Sequence, residues 1–310
     1  MKKILIIGAK GMLGQELVKI FKGDKDYKVI AWDKEDLDIT NEVAVSKKIK
    51  VINPKIIINC AAYNAVDKCE EKKEFEIAKK INGLAPGYLA KIAKKIGATF
   101  VHYSTDYIFD GKPKVEEPKG CTHSCHSCGL HANFQPEIGF KESDKPKPIN
   151  KYGKTKLLGE QEVQKNTKKY YIIRTSKLFG KPAEAEGAKR SFFDVILELG
   201  KNPPAGGKKV NIIDEEISCF TYALDLARKT KEIIEAKKTF GIYHVTNSGA
   251  CTWHEAALEL YKIKKLKTKV IPIASKDLKR PAKRPANSIL LNTKLNPIRS
   301  WQEALKEYLK

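Results

Sequence analysis

A chain of 310 residues with 42% hydrophobic content holds enough apolar material for a large core, which argues against a disordered protein. Lys and Arg outnumber Asp and Glu by 59 to 37, a formal charge of +22. Yet lysines such as Lys91, Lys94, Lys95, Lys262, Lys264 and Lys265 are scattered over helix faces, with no basic stripe interleaved with aromatics. No nucleic-acid partner is expected, and the excess reads as a solvated surface that also attracts anionic ligands.

No apolar run reaches the ~18 residues that a spanning helix needs, so no membrane partner is expected. The start, Met1-Lys2-Lys3-Ile4, runs into a strand-like segment without a signal-peptide cleavage pattern. The expected location is cytoplasmic.

The first predicted element is a strand at residues 4–7, followed at once by Gly8-Ala-Lys-Gly11-Met-Leu-Gly14 and a helix. Gly8 suits a tight strand-to-helix turn, Gly11 a close approach to a pyrophosphate, and Gly14 close packing of helix on sheet. Phosphates at such a helix N-terminus meet free N–H groups and a favourable dipole. Lys10, Met12 and Leu13 lie within the same turn and are expected to contact a dinucleotide. The second strand, 29–32, ends at Asp33. A carboxylate there accepts bonds from the adenosine ribose and repels a 2′-phosphate, which favours NADH over NADPH. The competing reading of Asp33 is a turn residue, and Lys10 and Lys34 would soften the discrimination. Asp38 and Ile39, a little further on, are assigned to the same cofactor. The third strand, 56–59, leads into Cys60-Ala61-Ala62-Tyr63. Small residues at Ala61 and Ala62, with Tyr63 beside them, would let the cofactor lie against the backbone; plain strand-end packing is the alternative.

The fourth strand, 99–104, leads into Thr105 and Asp106. Ligands of open α/β sheets bind beyond the carboxyl ends of strands, so both should face the site. Residues 112–150 then break the pattern. They carry no clear period, which marks a functional flap or a small module with its own staple. Within them, residues 121–131 read Cys-Thr-His-Ser-Cys-His-Ser-Cys-Gly-Leu-His, holding three of the seven cysteines and three of the six histidines. Cys121, Cys125 and Cys128 with His131 or His126 would make a tetrahedral Zn²⁺ set; incidental thiols are the alternative. The Cys-x3-Cys-x2-Cys spacing also suits an iron–sulfur cluster, but nothing else points to the barrel that would go with it.

Tyr152-Gly-Lys-Thr-Lys156 places a phenol and an ammonium one helical turn apart. An unperturbed tyrosine is too weakly acidic for general acid–base work at neutral pH, and a nearby ammonium is expected to bring its pKa down. The same lysine can hold the nicotinamide ribose. A fifth strand follows at 170–174. From Ser176 the pattern loosens, ending in a helix near 301–309. Alternating strands and helices predict an α/β fold: a Rossmann-like, doubly wound parallel sheet with a smaller C-terminal substrate lobe. The expected division is a dinucleotide-binding domain over 1–175 and a mainly substrate-binding lobe over 176–310, interleaving being allowed.

Several segments together resemble the extended short-chain dehydrogenase/reductases, and within them the dTDP-4-dehydrorhamnose reductases. They are Ala65-Val-Asp-Lys-Cys-Glu70, His102-Tyr-Ser-Thr-Asp-Tyr-Ile-Phe-Asp-Gly111, Tyr152 to Glu160, Arg174-Thr-Ser176, Gly241-Ile-Tyr-His244 and Arg284-Pro-Ala-Asn-Ser288. The resemblance implies reduction of a sugar C4 keto group by NADH or NADPH. Tyr152 would be the proton donor, Lys156 its partner, and Thr105 and Asp106 would lie at the sugar. It implies a nucleotide-sugar substrate, often a supporting Mg²⁺, and a homodimer as one assembly to test. Lys177 stands where relatives commonly carry an aromatic, which points to a different sugar or to a phosphate contact. The segment 213–221 lacks the usual Gly and Pro. Competing readings are a non-catalytic regulatory subunit, a zinc- or redox-gated sensor, and another nucleotide-sugar reductase or epimerase.

Overall fold

The computed structural model describes residues 1–113, 138–184, 190–203 and 209–310. Its centre is a parallel sheet. The first half supplies β1 (Lys2–Ile7), β2 (Tyr27–Trp32), β3 (Ile56–Asn59), β4 (Thr99–Thr105) and β5 (Tyr170–Thr175). A sixth strand, Gly241–His244, comes from the second half and pairs with β5, completing the order 241–244, β5, β4, β3, β1, β2. The Rossmann-like α/β expectation is met. The strands read as nearly continuous apolar runs, as in Ile4 to Ile7 and Ile56 to Ile58, because helices cover both faces.

On one face, helix α1 (Met12–Lys22) packs beside the helix Ala223–Glu235. Leu13, Leu17 and Phe21 share a core there with Leu226, Ala227 and Ile233. On the other face lie α2 (Glu42–Ile52), α4 (Ala85–Lys95) and α5 (Lys151–Asn166), with Val45, Ile49, Leu89, Ala93 and Val163 in one cluster. The short helix α3 (Lys72–Ala78) runs into α4 through a π-helical turn at Lys79–Leu84.

The remaining residues build a small lobe beyond the carboxyl ends of the strands. Its parallel pair Lys209–Ile213 and Lys269–Ile273 packs with the helices Phe192–Lys201, Trp253–Lys264 and Trp301–Tyr308. An aromatic core of Phe179, Phe193, Phe220, Tyr222 and Trp301 holds it together. Among the described residues, no helix is long and apolar enough to cross a membrane.

Candidate active site

The glycine turn sits where β1 meets α1. Gly8 takes φ +77°, and a Cβ there would stand 2.7 Å from the Ala61 nitrogen, so only glycine fits this crossing. Gly11 caps α1 with an extended backbone and offers no side-chain cap to the first N–H groups. Those donors have no intrahelical partner and suit an anion. Asp33, just past β2, accepts from the Lys10 backbone N–H at 2.9 Å and from its neighbour Lys34 at 2.8 Å. Lys10 Nζ is drawn off to Glu35 at 2.9 Å on the open surface. A cleft beside the turn is lined by Lys10, Gln15, Asp33, Asp36, Lys181 and Glu184. These features fit the diphosphate and ribose of a dinucleotide.

Other assigned residues fall into different settings. Leu13 and Ile39 are buried in the sheet's two cores, leaving their backbone as the part a ligand could meet. Met12 is half-buried at the start of α1. Asp38 is exposed and its Oδ1 is held by the Thr40 backbone at 2.9 Å and hydroxyl at 2.7 Å. Ala61, Ala62 and Tyr63 are half-buried beyond β3. Asn82 pins that last segment: it accepts from the Tyr63 N–H at 2.8 Å and donates to the Tyr63 carbonyl at 3.0 Å. It also donates to Thr155 Oγ1 at 3.2 Å, and Thr155 in turn donates to the Tyr152 carbonyl at 2.7 Å. Asn82 thus ties the edge of the cofactor cleft to the tyrosine helix. The sequence reading missed it. The available signal was Asn82-Gly83 inside an otherwise helical stretch, here the π-turn that often marks a functional position.

The end of the site assigned to catalysis by sequence lies where β4 and α5 meet. Asn150 caps α5 by accepting from the Gly153 N–H at 2.7 Å. A Cβ on Gly153 would stand 2.1 Å from the Tyr107 carbonyl oxygen, so glycine lets the helix close on the end of β4. Tyr152 is thereby buried beside the end of β4, where the Thr105 hydroxyl is among the groups acting on its phenol. Asp106 is buried beneath them. It accepts from Thr105 at 3.0 Å, Ser176 at 2.8 Å and Ser288 at 2.6 Å. Burial raises its pKa, and the three hydroxyls and Lys177 oppose the rise.

Lys156 does not act on Tyr152 as expected. Its Nζ donates to the Tyr103 carbonyl at 2.7 Å. Burial pushes the Tyr152 phenol up rather than down, and the charge of Asp106 adds to the rise; the Thr105 hydroxyl opposes it. The phenol is therefore held protonated at neutral pH, the state a proton donor requires. Burial lowers Lys156 itself to about 8, against the pull of Glu160. If its ammonium holds the ribose, NADH affinity should fall as pH rises through about 8, where that charge is lost. Lys156→Met should bind NADH more weakly, with a flat pH profile. Fluorescence titration from pH 7 to 9.5 checks this, and a flat wild-type curve removes the ribose role.

Lys177 follows β5 in a left-handed backbone conformation, φ +39°. Its Nζ lies 3.9 Å from the centroid of the Trp253 ring and 4.9 Å from that of Phe220. Burial lowers its pKa to about 8. Arg284 pairs with Asp67 at 2.5 and 2.7 Å, tying the two halves of the chain together. Cys121, Cys125, Cys128, His126 and His131 lie outside the described residues. Among the described residues, no group of three or more His, Cys, Asp and Glu is placed to hold a metal ion.

A glycine turn and a Tyr–Lys helix meeting at the carboxyl edge of one parallel sheet define the class of extended short-chain dehydrogenase/reductases. The chain belongs to the RmlD substrate binding domain family, whose model matches residues 1–310. It is 33% identical to the spore coat polysaccharide biosynthesis protein SpsK of Bacillus subtilis, covering 100% of this chain and 97% of that one. Among solved structures, a dTDP-4-dehydrorhamnose reductase ortholog from Clostridium acetobutylicum superposes with a TM-score of 0.85 at 37% identity, covering 99% of this chain and 98% of the other. The dTDP-4-dehydrorhamnose reductase of Bacillus anthracis, in complex with NADP, gives 0.83 at 31% identity, with the same shares covered.

Proposed function

We propose that the protein reduces the C4 keto group of a nucleotide-linked 6-deoxy sugar, converting dTDP-4-dehydro-L-rhamnose to dTDP-L-rhamnose. The observation that carries this reading is the buried Tyr152 phenol, one turn from buried Lys156 on α5, where Gly153 lets that helix close on the end of β4. Relatives bearing the name dTDP-4-dehydrorhamnose reductase support the sugar. When bound, the nicotinamide supplies the hydride to C4. Tyr152 gives its proton to the C4 oxygen, so ketone plus hydride plus proton becomes a secondary alcohol. Thr105 orients that oxygen, and Asp106, pinned by three hydroxyls, fixes Thr105. Lys156 holds the ribose, and Lys177 faces the substrate. Oxidation of NADH or NADPH by purified protein supplied with dTDP-4-dehydro-L-rhamnose tests the assignment. No turnover with any 4-keto sugar nucleotide would favour a regulatory subunit instead.

The cofactor preference follows from Asp33. NADPH should bind no better than NADH, because the carboxylate repels a 2′-phosphate, and Asp33→Ala should shift the ratio toward NADPH. Paired Kd measurements decide it. A wild-type preference for NADPH of tenfold or more, ~1.4 kcal/mol, would show that Lys10 and Lys34 dominate.

For the cysteine–histidine segment we propose one Zn²⁺, held by Cys121, Cys125, Cys128 and His131 or His126, on composition alone. Protein purified without chelator should contain about one zinc per chain, lost in a Cys125→Ser/Cys128→Ser variant. Metal-free, fully active protein would remove the proposal.

A further inference from the structure

We infer that Lys177 is a specificity-determining residue that binds an anionic oxygen of the sugar nucleotide; this rests on the reductase reading above. The residue directly follows Ser176, one of the three hydroxyls on Asp106, the carboxylate that the resemblance puts at the sugar. Asp106 is among the charges acting on it. Its left-handed backbone is strained for a lysine, and strain of this kind persists where the surroundings enforce it, often at ligand sites.

The ammonium has binding capacity to spare. Of its three N–H groups, one reaches the Cys251 carbonyl, at a long 3.5 Å. The Trp253 and Phe220 rings offer only their π faces. Among the described residues it makes no ion pair. The carboxylates that act on it from further away are engaged elsewhere. Asp106 takes its three hydroxyls, while Glu216 takes Arg280 at 3.2 Å and the Trp253 indole N–H at 3.1 Å. The neighbouring guanidiniums are spoken for as well, Arg280 by Glu216 and Arg284 by Asp67. A largely buried cation without a counter-ion is costly, and an anionic oxygen on the ligand offsets that cost. Two parts of a sugar nucleotide carry such an oxygen: the diphosphate, and a carboxylate on the hexose.

The test compares wild type, Lys177→Met and Lys177→Arg by calorimetric titration with thymidine, dTDP, dTDP-glucose and dTDP-glucuronate, NADH being titrated as a check on folding. Methionine is unbranched at Cβ like lysine, so the left-handed backbone is no more strained. The expected loss in Lys177→Met is about 10- to 100-fold for the recognised anion, with most affinity restored in Lys177→Arg. An equal loss for dTDP, dTDP-glucose and dTDP-glucuronate, with thymidine unchanged, identifies the diphosphate. A loss confined to dTDP-glucuronate identifies a sugar carboxylate. Unchanged affinity for all the anionic probes overturns the inference, and so does a wild type that binds none of them. The reductase reading fails separately, when wild type binds these nucleotides in a Lys177-dependent way yet reduces no 4-keto sugar.

Discussion

Replacing Tyr152 by phenylalanine is expected to cut turnover by ~10²- to 10⁴-fold while leaving NADH affinity nearly unchanged. The substitution removes one oxygen and keeps the ring, which packs edge-on against Tyr107 with centroids 6.2 Å apart. What disappears is the proton destined for the C4 oxygen. The helix position survives, because the Asn150 cap and the close approach at Gly153 do not involve the phenol. Steady-state kinetics beside a cofactor titration measure both quantities. Near-normal turnover would show that another group delivers the proton. Equal losses in turnover and in NADH affinity would show that the phenol has a structural role.

A second large effect is expected at Glu160, one turn beyond Lys156 on the same buried face of α5. Its carboxylate grips the Arg174 guanidinium of β5 through two bonds, Nε to Oε1 at 3.0 Å and Nη2 to Oε2 at 2.8 Å. Both side chains are almost wholly sealed from water, 1% and 2% exposed. Among the described residues, Glu160→Ala leaves a buried guanidinium with the Glu142 carbonyl at 3.3 Å, the His244 ring and the face of the Phe109 ring beside it. Removing one partner of such a pair typically costs about 3–5 kcal/mol, and chemical denaturation should show a loss of this size. Replacing both residues together, Glu160→Leu with Arg174→Met, should recover most of it, because no charge is then stranded. A loss below ~1 kcal/mol in the single variant would mean that water reaches the guanidinium. Glu160 also raises the pKa of Lys156, so the single variant should move the cofactor's pH dependence to lower pH.

The first five strands were legible because each is an apolar run that ends in a polar or glycine signal. The sixth was not read as a strand. Gly241–His244 is four residues long and includes a buried histidine, and what makes it a strand is its register with Tyr171 to Arg174. The glycine turn and the tyrosine helix were legible because their chemistry is local in sequence. Asp106 was read as a residue facing the site at the end of β4, not as the hub of a buried network. Its three hydroxyl partners lie at 105, 176 and 288, and only the folded chain brings them together. Asn82 was hidden for the same reason, its partners being Tyr63 and Thr155. The direction of the Tyr152 shift was misjudged because spacing along a helix shows that two groups are near, while burial decides which protonation state wins.

The late strand at 241–244 bears on how the molecule can be made. Until it emerges during synthesis, β5 is a bare edge whose row of free N–H and C=O groups invites pairing with other chains. Until the helix Ala223–Glu235 arrives, Leu17 and Phe21 of α1 also lack their cover. A nascent chain stopped near residue 175 therefore carries the glycine turn and Tyr152 on five of the six strands, with an aggregation-prone open edge. Expressing the first half alone should yield insoluble material that the second half, supplied in trans, rescues only if it docks before the edges meet.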